Sequence, residues 1–254
     1  MARVIAIANQ KGGVGKTTTA AHLGAALAER GRRTLLVDLD PQAALTDGFG
    51  IDSFALPETI YDALVRGSEV PITSVVYNIR PNLDVIPSNI DLAAAEIELV
   101  VRMSREFVLK QALAPVLGNY AFVIIDTPPS LGLLTVNALV VSNELIVPLQ
   151  CEYLAMRSVR VLLDTIWKVK RKLNPDLDLL GILPTMYSGH AVHKQEVLDE
   201  VRGIFGDKVF DIVIHNSVRF AEAPVAHQTI LEYDRTHPGA KAYRALAEVV
   251  DDKK

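Results

Sequence analysis

The chain reads as α/β: one doubly wound domain over residues 1–254, with a mainly parallel sheet flanked by helices. Three observations predict this class. Short apolar runs alternate with longer segments whose apolar residues recur at helical spacing. A glycine-rich stretch separates the first run from the first helix, and two later runs end in aspartates. Half of the 254 residues are apolar, enough for one large core, and no linker or internal repeat divides them.

The elements follow in order. Residues 4–8 form a buried strand, and 17–30 a helix carrying Ala20, Leu23 and Leu27 on one face. A second strand, 33–37, runs into Asp38-Leu39-Asp40-Pro41-Gln42. Stretches 48–58 and 65–81 are the least regular and are expected as surface connections. Strand 83–86 precedes a long helix, 94–117; strand 122–125 ends in Asp126-Thr127-Pro128-Pro129 and leads to helix 131–142. Strands 145–148, 179–183 and 209–214 alternate with helices 155–172, 194–205 and 239–250.

The turn after the first strand, Asn9-Gln10-Lys11-Gly12-Gly13-Val14-Gly15-Lys16-Thr17-Thr18, has the composition of a phosphate-binding loop. Glycines without a Cβ let backbone N–H groups curl toward an anion at the positive end of the next helix. Lys16 suits β- and γ-phosphates, and the Thr17 hydroxyl suits Mg²⁺. The common pattern G-x-x-x-x-G-K-[ST] is not met, because Gln10 occupies its first glycine position. The loop also carries a second lysine, Lys11.

Asp38, Asp40 and Asp126 close two strands at the end where open α/β sheets bind ligands. Asp126 is placed like the acid that holds Mg²⁺ in phosphate-loop enzymes. Asp38 and Asp40 are expected to point different ways, one serving magnesium and the other orienting water. The competing reading is that either caps the following helix.

These segments, Lys11 to Thr18, Asp38 to Gln42 and Ile124-Ile125-Asp126-Thr127-Pro128-Pro129-Ser130, resemble the three signatures of the ParA/Soj partition ATPases, within the ParA/MinD group of deviant Walker ATPases. Residues 181–187 and 218–224 also resemble ParA segments, so the similarity covers nearly the whole chain. The resemblance implies a P-loop ATPase that dimerises around two ATP molecules and Mg²⁺. Lys11 would reach the phosphates of the other subunit, as an arginine finger does in other NTPases. Asp40 falls on the water-positioning carboxylate, and Thr17 and Asp126 on the Mg²⁺-linked residues, with Asp38 beside them. Adenine contacts are placed near Met186 and Asn216.

The same resemblance implies non-specific binding to nucleoid DNA and release by a ParB-like partner that stimulates a slow hydrolysis. The formal net charge of −4 means that DNA affinity must come from a local patch. Lys194, Arg202, Arg219, Lys241 and Arg244 are the candidates. Arg219 falls on the family's Val-Arg-x-x-Glu-Ala-Pro arginine; its alternative is an ion pair with Glu222 one turn away. One departure stands out. The family often has an arginine where this chain has His190, which carries little charge at pH 7.

Other classes are disfavoured. Cys151 is the single cysteine, so there is neither an internal disulfide nor a Cys-x-x-Cys pair for an iron–sulfur cluster. His190 and His193 alone make a poor metal site. No signal peptide or membrane-spanning run is legible, and the acidic Asp251-Asp252 pair weakens any lipid-binding C-terminal helix, so a cytoplasmic location is expected. A MinD-like or regulatory switch acting on proteins is the alternative function.

Overall fold

The computed structural model describes residues 2–151, 155–187 and 192–253, with the side chains of 155–160 and 192–195 left out. The strands are β1 (Arg3–Ile7), β2 (Thr34–Asp38), β3 (Tyr77–Arg80), β4 (Leu83–Ile86), β5 (Phe122–Asp126), β6 (Glu144–Gln150) and β7 (Asp178–Thr185). The α-helices are α1 (Lys16–Glu29), α2 (Ala44–Gly48), α3 (Ile60–Val65), α4 (Leu92–Glu98), α5 (Val108–Leu113), α6 (Leu133–Val141), α7 (Ala155–Lys172), α8 (Val192–Phe205), α9 (Arg219–Val225), α10 (Ile230–Tyr233) and α11 (Pro238–Asp252).

Seven strands form one sheet in the order β3-β4-β2-β5-β1-β6-β7. Every neighbouring pair is parallel except the β3–β4 edge. β2 to β5 lie on one side of β1, with β5 returning to fit between β1 and β2, and β6 and β7 lie on the other. The order therefore reverses at β1, whose carboxyl end carries the glycine loop.

β2 and β5 are buried along their whole length, as strands covered on both faces must be. Alternate residues serve opposite cores. Val4, Ala6, Leu35, Val37, Val123 and Ile125 pack on one side; Ile5, Ile7, Leu36 and Ile124 pack on the other with α1 and α11.

Three sequence expectations fail at the periphery. Helix 94–117 is split into α4 and α5, because Arg102 is extended (ψ 140°) and Ser104 is left-handed (φ 56°). The Arg102 guanidinium bonds Leu64 O and Val65 O at the end of α3, and Arg105 turns back to Val100 O. These long-range bonds outweigh the local helical pattern. Segment 209–214 forms no strand; it is joined to β7 by an isolated Ile182–Val209 bridge, while Phe210 occupies the space a Cβ on Gly181 would need. Within the stretch expected to be irregular, residues 77–80 make the antiparallel edge β3.

Candidate nucleotide site

The loop between β1 and α1 is held by its own polar groups. Buried Asn9 donates from Nδ2 to Pro148 O (2.7 Å) and accepts Lys11 N at Oδ1 (3.1 Å). Thr185 Oγ1, at the end of β7, donates to Val14 O (2.8 Å). Gly13 (φ 71°) and Gly15 (φ 88°) take left-handed conformations that side chains disfavour. Gly12 does not; a Cβ there would lie 3.9 Å from that of Pro129, so the loop after Asp126 packs against the glycine loop.

Lys16 is buried, and its Nζ donates to Lys11 O (3.3 Å). Burial lowers the Lys16 pKa, while the charges of Asp126 and Asp40 oppose that shift. Lys11 Nζ donates to Gln150 Oε1 (3.1 Å). The two loop lysines therefore sit in different surroundings, one facing the carboxylates and one at the end of β6.

Asp38 and Asp126 are register partners on adjacent strands, and both are fully buried. Asp38 accepts Thr46 N (2.9 Å) and Thr46 Oγ1 (2.7 Å) at Oδ2, and Asp40 N (3.2 Å) at Oδ1. Burial nonetheless pushes its pKa up to about 6, with those hydrogen bonds pulling against the rise. Neither oxygen of Asp126 makes a hydrogen bond of ordinary geometry, although the Thr17 hydroxyl lies close enough to lower its pKa. Burial first, and then the Asp38 charge, raise the Asp126 pKa well above the usual carboxylate range; the Thr17 hydroxyl and the Lys16 charge act the other way. Asp40 also bears on Asp126 and Lys16. The expectation that Asp38 and Asp40 point different ways is thus corrected. β2 ends at Asp38, so strand alternation does not reach Asp40; the chain turns there, with Asp40 N donating to Asp38 Oδ1, and both charges bear on Asp126.

A cavity of about 250 Å³ adjoins the loop, lined by Gly15, Thr18, Met186, Asn216, Phe220 and Tyr243, among others. Met186 and Asn216, the sequence's candidates for base contacts, both line this cavity. Met186 is left-handed (φ 51°), and Asn216 N donates to Tyr187 O (3.1 Å). Phe220 and Tyr243 were missed by sequence reasoning, although Phe220 lies inside the 218–224 segment. His22, one turn after Thr18 in α1, is also a structural addition. Its Nδ1 meets Thr18 O at 2.6 Å, and burial lowers its pKa to about 4, so the ring is neutral at pH 7.

The basic candidates do not share one state. Arg219 is exposed and pairs with Glu222 (2.7 Å), with its guanidinium over Tyr233. Arg202 has a loose pair with Asp211 (3.9 Å). Arg244 is engaged by Glu29 (2.7 Å) and by Arg235 O and Leu231 O, whereas its neighbour Lys241 is exposed. His190 and the side chains of His193 and Lys194 lie outside the described residues. Among the described residues no helix is long and apolar enough to cross a membrane.

A glycine loop between a central strand and its helix, with buried lysine and carboxylates at the neighbouring strand ends, defines a nucleotide-binding α/β protein of the phosphate-loop class. Comparison with known proteins agrees. A family described as AAA domain matches residues 2–179. The sporulation initiation inhibitor protein Soj of Bacillus subtilis is 48% identical over 250 residues, covering 98% of each chain. The chromosome partitioning protein ParA of Myxococcus xanthus is 46% identical over 245 residues, covering 96% of this chain and 86% of that protein. Among solved structures, a Mycobacterium smegmatis protein described as cobyrinic acid a,c-diamide synthase, with bound ATP analog and magnesium, superposes with a TM-score of 0.86 at 44% identity, over 98% of this chain and 93% of that one. The chain belongs to the ParA/Soj family of partition-type ATPases.

Proposed function

We propose that this protein is a Mg²⁺-dependent ATPase that works as an ATP-switched homodimer, holds nucleoid DNA without sequence preference, and is released when a ParB-like partner stimulates hydrolysis. Its work would be segregation or positioning of a chromosome, plasmid or other large cargo in the cytoplasm. The observation that carries this reading is the unpartnered, buried Asp126 carboxylate beside Lys16 under the glycine loop. A buried carboxylate without a donor is unfavourable unless a cation completes it. The donor set of Asp126, Thr17 and, one strand over, Asp38 suits a hard cation that prefers oxygen.

Mg²⁺, when bound there, would neutralise charge on the phosphates. The chain's own groups do the rest. The backbone N–H groups of residues 12–17 cradle phosphate, and Lys16 faces its oxygens. Thr18, Met186 and Asn216 border the base. Asp40 orients the attacking water, and Lys11 serves the site of the other subunit. A cation supplied across the dimer couples nucleotide occupancy to association. Hydrolysis stays slow until that arrangement is complete.

Asp40→Ala should preserve ATP binding, abolish turnover, and leave a dimer in ultracentrifugation with Mg·ATP. A monomer under those conditions would defeat the switch. Arg219→Glu should weaken retention on a DNA column several-fold while leaving that dimer intact; unchanged retention would move the DNA surface elsewhere. The similarity to the Mycobacterium smegmatis protein favours a second reading, an ATP-dependent ligase. ADP and phosphate formed with no co-substrate would exclude it.

A further inference from the structure

Helix α4 touches the nucleotide side of the molecule through one carboxylate. Glu96 Oε1 accepts a hydrogen bond from Leu134 N (3.3 Å), in the first turn of α6. The N-cap residue of α6 is Gly132, which has no side chain to do this, and first-turn N–H groups require an acceptor. An anion there is also favoured by the helix dipole. A Cβ on Gly132 would overlap Glu96 Oε1, so glycine is what admits the carboxylate. The backbone at Gly132 (φ −72°, ψ −170°) is open to any residue.

The segment secured in this way is the loop that leaves Asp126. Its start is tied to the centre of the sheet, since Thr127 Oγ1 donates to Ile7 O (2.9 Å). Thr135 Oγ1 holds Ser130 O (2.7 Å). Between these anchors Pro129 packs against Gly12, next to Lys11. The α6 end is therefore linked through this loop to both Asp126 and the glycine loop.

We propose that Glu96 is a positioning residue for ATP hydrolysis: by capping α6 across the gap from α4, it holds the loop after Asp126 against the glycine loop. This rests on the ATPase reading above. Glu96 touches none of the groups assigned to nucleotide binding, so its loss should act on turnover rather than affinity.

Two substitutions break the same contact from opposite sides. Glu96→Ala removes the acceptor. Gly132→Ala evicts it, and the fold tolerates this because only the flexible end of the Glu96 side chain must move. Each should lower kcat for Mg·ATP about tenfold, with KM and ATP affinity unchanged within about twofold. Glu96→Gln keeps an oxygen acceptor and should recover most of the rate. The double variant Glu96→Ala/Gly132→Ala should be no slower than either single one, since both remove one interaction. Thermal denaturation is recorded in parallel. A lower Tm with unchanged kcat would make Glu96 a structural cap and overturn the proposal, as would additive losses in the double variant. A wild-type protein that turned over no ATP would defeat the ATPase reading itself, and this proposal with it.

Discussion

The carboxyl ends of β2 and β5 lie side by side, and each delivers a fully buried aspartate. Asp38, on β2, is held by three protein donors from Thr46 and Asp40. Asp126, on β5, has none. Equal burial with unequal satisfaction separates two jobs. Besides its place in the proposed cation site, the β2 carboxylate braces the turn into α2, while the β5 carboxylate is engaged by no protein donor. An orphaned charge in a low-dielectric site is costly. Its cost is what a metal-bound nucleotide would relieve, making ligand binding and stability one equilibrium.

The largest effect should come from removing the cation that faces Asp126. Lys16→Ala is expected to weaken ATP binding by roughly a hundredfold or more, about 2.7 kcal/mol, measured by fluorescence titration. Next, Thr46→Val would move Asp38 one step towards Asp126, leaving it only the backbone donors Thr46 N and Asp40 N. It deletes the Oγ1 donor to Asp38 and the acceptor for Ser88 N (3.0 Å), and should cost about 2 kcal/mol of stability in urea unfolding at pH 7.5.

Asp126→Asn sharpens the contrast with a smaller effect of opposite sign. A carboxyl whose pKa is raised by folding binds its proton more tightly in the folded state. Ionising it therefore costs stability increasingly as pH rises above its ordinary value of 3.8. The asparagine variant should be about 1 kcal/mol more stable than wild type at pH 7.5 without nucleotide, an advantage that disappears near pH 4. Mg·ATP should raise the Tm of the wild type more than that of the variant. Equal shifts would show that Asp126 is not where the cation acts.

Legibility in the sequence followed the same division between centre and edge. β1, β2 and β5 announced themselves as apolar runs because both faces are buried, and the glycine loop and terminal aspartates followed from their positions along those runs. Residues 94–117 misled because their local helical pattern carries no sign that Arg102 reaches α3. Segment 209–214 misled because an apolar run does not reveal whether a neighbouring strand offers its full edge; here it makes only the Ile182–Val209 bridge and single backbone bonds from Phe210 N and Ile214 N to β7. The exposed Arg219 forms the ion pair with Glu222 that was the alternative to a DNA contact.

The residue types proposed to meet the phosphates were set along the chain itself, since the loop's glycines, Lys16 and Thr17 are contiguous and their chemistry depends on local spacing. That Asp126 lacks any donor while Asp38 has three, and that Glu96 caps a helix begun 37 residues later, was decided only by tertiary structure. Hydrogen-bond satisfaction is a property of three-dimensional neighbours, and no linear pattern records which side chains reach a buried atom.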